Sequence, residues 1–200
     1  MKNKILTLSA LTLCIVQMLV ILVSWLITAA MPDAPLRSLL SSEGIRWFFG
    51  HLTENQLTPL LAWMLFIGIA YGAMRKSGLL HAVRMMGKVD FRQKFALRIV
   101  IIEVILFLCV LLLLTSVPHA ILLSVTGNLF PSSFSQSLIP SLSFACVVFS
   151  ISYGVISGSF HSLRDIFESF TSQIPTLSPL LIIYILCAQL FSSLKFILII

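Results

Sequence analysis

The sequence predicts an all-α integral membrane protein: a bundle of about five transmembrane helices with one amphipathic helix on its outer face. Three observations carry that expectation. Of the 200 residues, 58% are hydrophobic and only 10% charged, against about 25% charged in soluble domains. Apolar runs of bilayer length recur along the chain. The basic residues gather on one side of those runs.

A helix needs about 20 largely apolar residues to cross a hydrocarbon core of roughly 30 Å. Such segments fall at 5–30, 57–74, 99–117, 138–157 and 177–199, and together they make 1–200 a single transmembrane domain. Lys2 and Lys4 precede the first run in the manner of a secretory signal. That run is much longer than the roughly 7–15 residues of a signal core, so it reads as a retained helix.

Positive charge near span ends stays on the cytoplasmic side. Ten of the 13 basic residues fall on one side: Lys2, Lys4, the connector cluster from Arg75 to Arg98, and Arg164. Arg37 and Arg46 lie opposite, accompanied by Asp33, Glu43 and Glu54. The N-terminus and Gly87 are therefore expected in the cytoplasm and Ile200 outside, in a bacterial-type inner (plasma) membrane. The net charge of +6 is accounted for by topology rather than by nucleic acid. The basic connector is expected to lie against anionic lipid headgroups.

Outside the membrane, Ile45, Phe48, Phe49 and Leu52 share a helical face, with Glu43, Arg46 and Glu54 on the other. Ser42 is the expected cap and Trp47 an interfacial anchor. This helix anchors the outer surface or gates a substrate path. The stretch 119–137, with Gly127, Pro131 and several serines, reads as an outer loop.

An ionisable group inside a span is a functional candidate because it is costly there. Glu103 is expected about one turn, roughly 6 Å, inside span three. There it either reaches water or pairs with Arg98 or Lys94, or else serves as a proton-coupling carboxylate. Lys195 is placed to snorkel at the outer end of span five. Gln189 and Ser193, one turn apart with Ser192 beside them, either bond between helices or line a polar path. Gly68 with Gly72 and Gly154 with Gly158 are small-xxx-small pairs expected to pack helices closely near their cytoplasmic ends.

The strings IAYG at 69–72 and ISYG at 151–154 are alike but too short to establish a repeat. Cys14, Cys109, Cys146 and Cys187 stand singly within spans, and the four histidines are scattered over connectors. No metal, cofactor or catalytic constellation is expected, so an enzymatic role has no support.

Two blocks carry a family resemblance. SLLSSEGIRWFFGHLTENQLTPLLAWMLFIGIAYGAMRKSGLL, residues 38–80, is similar to the N-terminal part of the AbgT family of p-aminobenzoyl-glutamate transporters. The matches include Ser38, Leu39, Leu40, Glu43, Gly44, Gly68, Ser77, Gly78 and Leu79. The family's NFTGFAPLG-like string is replaced by ENQLTPLLA at 54–62. PSSFSQSLIPSLSFACVVFSISYGVISGSFHSLRDIFESF, residues 131–170, resembles a region near that family's C-terminal end, through Pro131, Phe134, Tyr153, Gly154, Arg164, Asp165 and Ile166. LIIYILCAQLFSS at 181–193 is similar to its apolar arm containing AAQF.

The resemblance implies a short relative lacking the family's middle, with the junction near 90–98 and an end before its last membrane segments. It implies a transporter or transporter component for small anionic organic solutes, assembled as a homo-oligomer or with a membrane partner. The alternative is a non-transporting scaffold. Loss of the polar middle predicts weak or no transport by the chain alone, and any flux is expected to depend on Glu103 and Gln189.

Overall fold

Long, largely apolar runs become the long helices here, and polar stretches with serine or glycine at their ends become the short ones. The computed structural model describes residues 2–33, 35–85, 90–116 and 133–198, which hold helices and connecting turns and no strand. In order these are α1 (Lys2–Ala30), α2 (Ser42–Gly50), a 3₁₀ turn (Glu54–Gln56), α3 (Pro59–Lys76), α4 (Leu79–Arg84), α5 (Phe91–Ser116), α6 (Ser133–Ser157), α7 (Leu163–Thr171) and α8 (Ile174–Leu198). Gly87 and Lys88, most of the expected outer loop (including His119, Gly127 and Pro131), and Ile200 lie outside the described residues.

Among the described residues, four stretches are long and apolar enough to cross a membrane: Lys4–Ala30, Phe91–Thr115, Gln136–Ser157 and Leu163–Leu198, the last running over α7 and α8. The expected second span forms α3 but is not among the four, because Arg75 and Lys76 close this 18-residue helix. The third begins at Phe91 rather than at 99, so Arg92, Lys94 and Arg98 belong to the helix rather than to a connector.

The chain divides into two compact units, Met1–Ala62 with Thr176–Ile200, and Trp63–Pro175. In the first, Leu39, Phe196 and Ile197 form a core with Val20, Ile21, Leu36, Trp47 and Phe48 packed against it. Two expectations about α2 are corrected here. Its cap is Ser41, whose hydroxyl accepts from the Gly44 amide at 3.0 Å, and Ser42 is already helical. Trp47 is half-buried rather than free-standing: its ring stacks on Phe196 at 4.5 Å. The packed side of α2 therefore runs through Gly44, Trp47 and Phe48, leaving Ile45 and Phe49 exposed.

In the second unit α5 packs along α6. Leu79, Ala82, Ala96, Leu97, Val100 and Tyr153 make the core, with Val104, Phe149 and Ile156 against it. The end of α6 shows why Gly158 differs from a helix-packing position. It lies past the helix at φ 83°, a left-handed conformation that suits glycine. The Gly158 amide donates to Val155 O at 3.3 Å and the Ser159 amide to Gly154 O at 2.8 Å. This is the Schellman arrangement that satisfies terminal carbonyls. Phe160 folds back over Gly154, and a side chain on Gly154 would collide with that ring. Arg92 donates through Nε to Ile156 O at 2.7 Å, placing a cation at the negative end of α6.

Gly68 and Gly72 are both buried in α3. A Cβ on Gly72 would lie 2.6 Å from the Ser169 carbonyl oxygen, a backbone atom of α7 that cannot swing aside. Gly72→Leu is therefore expected to lower the stability of the folded protein by about 1–3 kcal/mol through overpacking. Thermal unfolding in detergent reads this, and an unchanged midpoint would mean that α7 moves freely away from α3.

α7 itself starts at a capping box. The Ser162 hydroxyl accepts from Asp165 N, and Asp165 Oδ2 accepts from Ser162 N at 3.0 Å and His161 N at 2.9 Å. Glu168 ties it to α3 through Lys76 at 3.7 Å and to its own first turn through Arg164 at 3.0 Å.

Candidate functional site

Buried polar side chains sort into those satisfied locally and those left wanting. Ser150 and Ser169, both fully buried, donate back to carbonyls of their own helices, Cys146 O and Ile166 O, each at 2.6 Å. Such back-bonding removes the need for any other partner. Four buried side-chain atoms among the described residues have none: Gln17 Oε1, Gln56 Oε1, Gln189 Nε2 and Glu103 Oε2. An unmatched buried polar atom costs about 1–3 kcal/mol. Natural structures keep few of them, and each calls for an explanation.

Three of the four belong to one polar ladder in the first unit. Along α8, Gln189 and Ser193 share one face one turn apart, while Tyr184, five residues before Gln189, projects from another side of the helix. Asn55 Nδ2 donates to Gln189 Oε1 at 3.4 Å, and Gln17 Nε2 donates to Ser193 Oγ at 2.9 Å. Gln56 Nε2 donates to Ile185 O at 3.3 Å, while the Tyr184 hydroxyl donates to Gln56 O at 3.0 Å and contacts Thr58 Oγ1. Gln189 is 7% exposed and Ser193 is completely buried. α1, the 3₁₀ turn and α8 thus bring four side-chain amides to one strip. It offers two free acceptors and one free donor, and no carboxylate, ammonium or guanidinium group is part of it.

Of the sequence candidates, Gln189 and Ser193 lie in this ladder, whereas the Ser192 hydroxyl has no hydrogen bond among the described residues. Gln17, Asn55, Gln56, Thr58 and Tyr184 were not anticipated. Gln17 had a visible signal: it is the one amide within an otherwise apolar run, near the middle of α1. The Asn55–Gln56 pair had none, because its role depends on where the turn lands.

Glu103 stands in the second unit. The expected pairing with Arg98 or Lys94 is not found, since Glu103 takes part in no ion pair among the described residues. The reason is geometric. Five and nine residues back along a helix correspond to about 140° and 180° around its axis, so those cations face away from it. Its depth also differs from expectation. Glu103 lies twelve residues from Phe91, about 18 Å along α5, close to the helix midpoint. It shares a helical face with Ala96 and Val100, which pack in the unit's core, and with Phe107, whose ring meets Phe149 edge-on at 6.2 Å. Lys195, near the end of α8, is exposed, with its ammonium 5.1 Å from the Phe191 ring.

Residues 81–198, over half of the chain, match the sequence model of the AbgT putative transporter family. The chain belongs to that family. The AbgT match includes α5 to α8 and hence Glu103, Gln189 and Ser193. It also runs through 90–98, where the resemblance placed a missing middle, while the 38–80 block lies outside it. The fold is similar to that of the Alcanivorax borkumensis YdaH transporter, with a TM-score of 0.74 at 13% identity, covering 94% of this chain and 70% of that one. At such identity the likeness is one of fold. No curated protein matches. An AbgT-family chain with several bilayer-length helices is a multi-pass membrane protein of a transporter family.

Proposed function

We propose that the protein carries small anionic organic solutes of the p-aminobenzoyl-glutamate type through the membrane as an oligomer, with its N-terminus cytoplasmic and C-terminus outside. The observation that carries this reading is the ladder around Gln189. A solute combining an amide with carboxylates presents both acceptors for the free Gln189 Nε2 and an N–H for Gln17 or Gln56 Oε1. A neutral strip holds such a ligand by hydrogen bonds without trapping it by charge. Symmetric association would enclose a path that five or so helices offer little room for. Glu103, on the other unit, is the ionisable group available for coupling.

Uptake of p-aminobenzoyl-glutamate by reconstituted vesicles, alongside the oligomeric state in lipid, tests the proposal. Gln189→Leu is expected to reduce flux roughly 5- to 10-fold, the effect of losing one neutral hydrogen bond of about 1–1.5 kcal/mol. A closely packed oligomer with no flux would instead favour the scaffold, and flux indifferent to Gln189→Leu would move the path off α8.

A further inference from the structure

A second feature lies apart from both candidate groups. Ser77 and Gly78 turn the chain between α3 and α4, with Gly78 at φ 82°, the Ser77 amide bonded to Ala73 O at 2.9 Å, and the Ser77 hydroxyl receiving the Leu79 amide at 3.3 Å. The turn sets the last part of α3 beside α4. Between them opens a surface groove of about 370 Å³ lined by Tyr71, Arg75, Leu80, His81 and Arg84, all of them exposed. Its volume sits at the lower end of the range for small-ligand sites, about 300–1,000 Å³.

The lining is chemically one-sided. Two guanidinium groups bring five N–H donors each, and the imidazole and phenol add more, while no carboxylate or amide contributes. None of these side chains has a hydrogen bond or ion pair among the described residues. The nearby Lys76 is different, because Glu168 already pairs with it. A groove walled by unengaged donors selects a ligand made of acceptors. Donors here come from two helices, so a tetrahedral phosphate, with oxygens pointing in several directions, uses them more fully than a planar carboxylate.

We infer that this groove is a binding site for a phosphate ester of net negative charge, held by Arg75 and Arg84 and oriented by His81 and the Tyr71 hydroxyl. Apolar surface adjoins it: Leu80 in the wall is 39% exposed, and Ile67, one turn back on α3, is 52% exposed. That border suits the acyl chains of an anionic phospholipid, and a soluble phosphate ester offers the same headgroup chemistry without them.

The full chain in detergent, titrated with dioleoyl phosphatidylglycerol, dioleoyl phosphatidylcholine and glycerol 3-phosphate, separates these sources by native mass spectrometry and calorimetry. The Arg75→Gln/Arg84→Gln double variant is expected to weaken phosphatidylglycerol binding roughly 30-fold, at the usual contribution of a cation near an anionic lipid surface. Phosphatidylcholine retention should not change, and Lys94→Gln/Arg98→Gln, which alters two exposed cations outside the groove, should have a much smaller effect. Arg75→Lys/Arg84→Lys should recover part of the affinity, keeping charge but not the guanidinium fork. Glycerol 3-phosphate binding with the same sensitivity, and no preference for phosphatidylglycerol, would make the ligand a soluble ester. Failure of both phosphatidylglycerol and glycerol 3-phosphate to bind, or equal losses in the two glutamine double variants, overturns the site.

Discussion

Glu103→Leu is expected to make the protein more stable and less active. Its Oε2 is buried without a partner near the middle of α5, and removing an unmatched polar atom from such a place should recover about 1–3 kcal/mol. Leucine is close to glutamate in size and continues the apolar face that meets α6. A residue kept despite a stability cost is the signature of a working site, because selection tolerates local violations where function needs them. If the carboxylate binds the solute or a coupling ion in transit, the lost interaction is worth about 1.5–3 kcal/mol. Flux should then fall roughly 10- to 100-fold. Thermal unfolding and vesicle uptake on the same preparation check both signs. A lower midpoint would show that Glu103 makes a stabilising contact; a higher midpoint with unaltered flux would reduce it to a passive polar residue.

The helices were legible because their cause is local. Each apolar run reports its own burial in lipid, and the structure moves the ends only where charged or serine-rich residues can still be helical, as at Arg92 to Arg98 on α5 and Ser133 onward on α6. The environment of a side chain is less local. Ile45 and Phe49 share the apolar periodicity of α2, yet the buried side is chosen by where Phe196 arrives from α8, and so Trp47 turns inward. The Gly154 and Gly158 spacing matches a helix-packing pattern in sequence, but helix α6 ends at Ser157, and the pair instead closes a turn against Phe160. For Glu103, angular arithmetic on its distances to Arg98 and Lys94 would have excluded the pairing without any coordinates. The polar ladder is harder. Gln189 and Ser193 announce themselves one turn apart, but their partners come from positions 17 and 55, and only the folded chain makes them neighbours.

Reporter fusions should place residue 84 in the cytoplasm and residue 198 outside. The outcome turns on α3, the helix whose closing Arg75 and Lys76 keep it out of the four clearest spans. Its sixteen residues before those cations extend about 24 Å, a few ångströms short of a hydrocarbon core of roughly 30 Å. Local thinning of the bilayer and the long basic side chains can make up that difference. With α3 crossing, five spans put the cations from Arg75 to Arg98 on the cytoplasmic side together with Lys2 and Lys4. Without it, the four remaining crossings reverse every later segment, and those cations stand outside, against the bias that governs short connectors. Both arrangements give opposite signals at the two positions, so opposition alone decides nothing. What discriminates is which fusion is cytoplasmic: a cytoplasmic signal at 198 with an external one at 84 would show that α3 does not cross, and equal signals would require a helix among α5, α6 and α8 to turn back within the membrane.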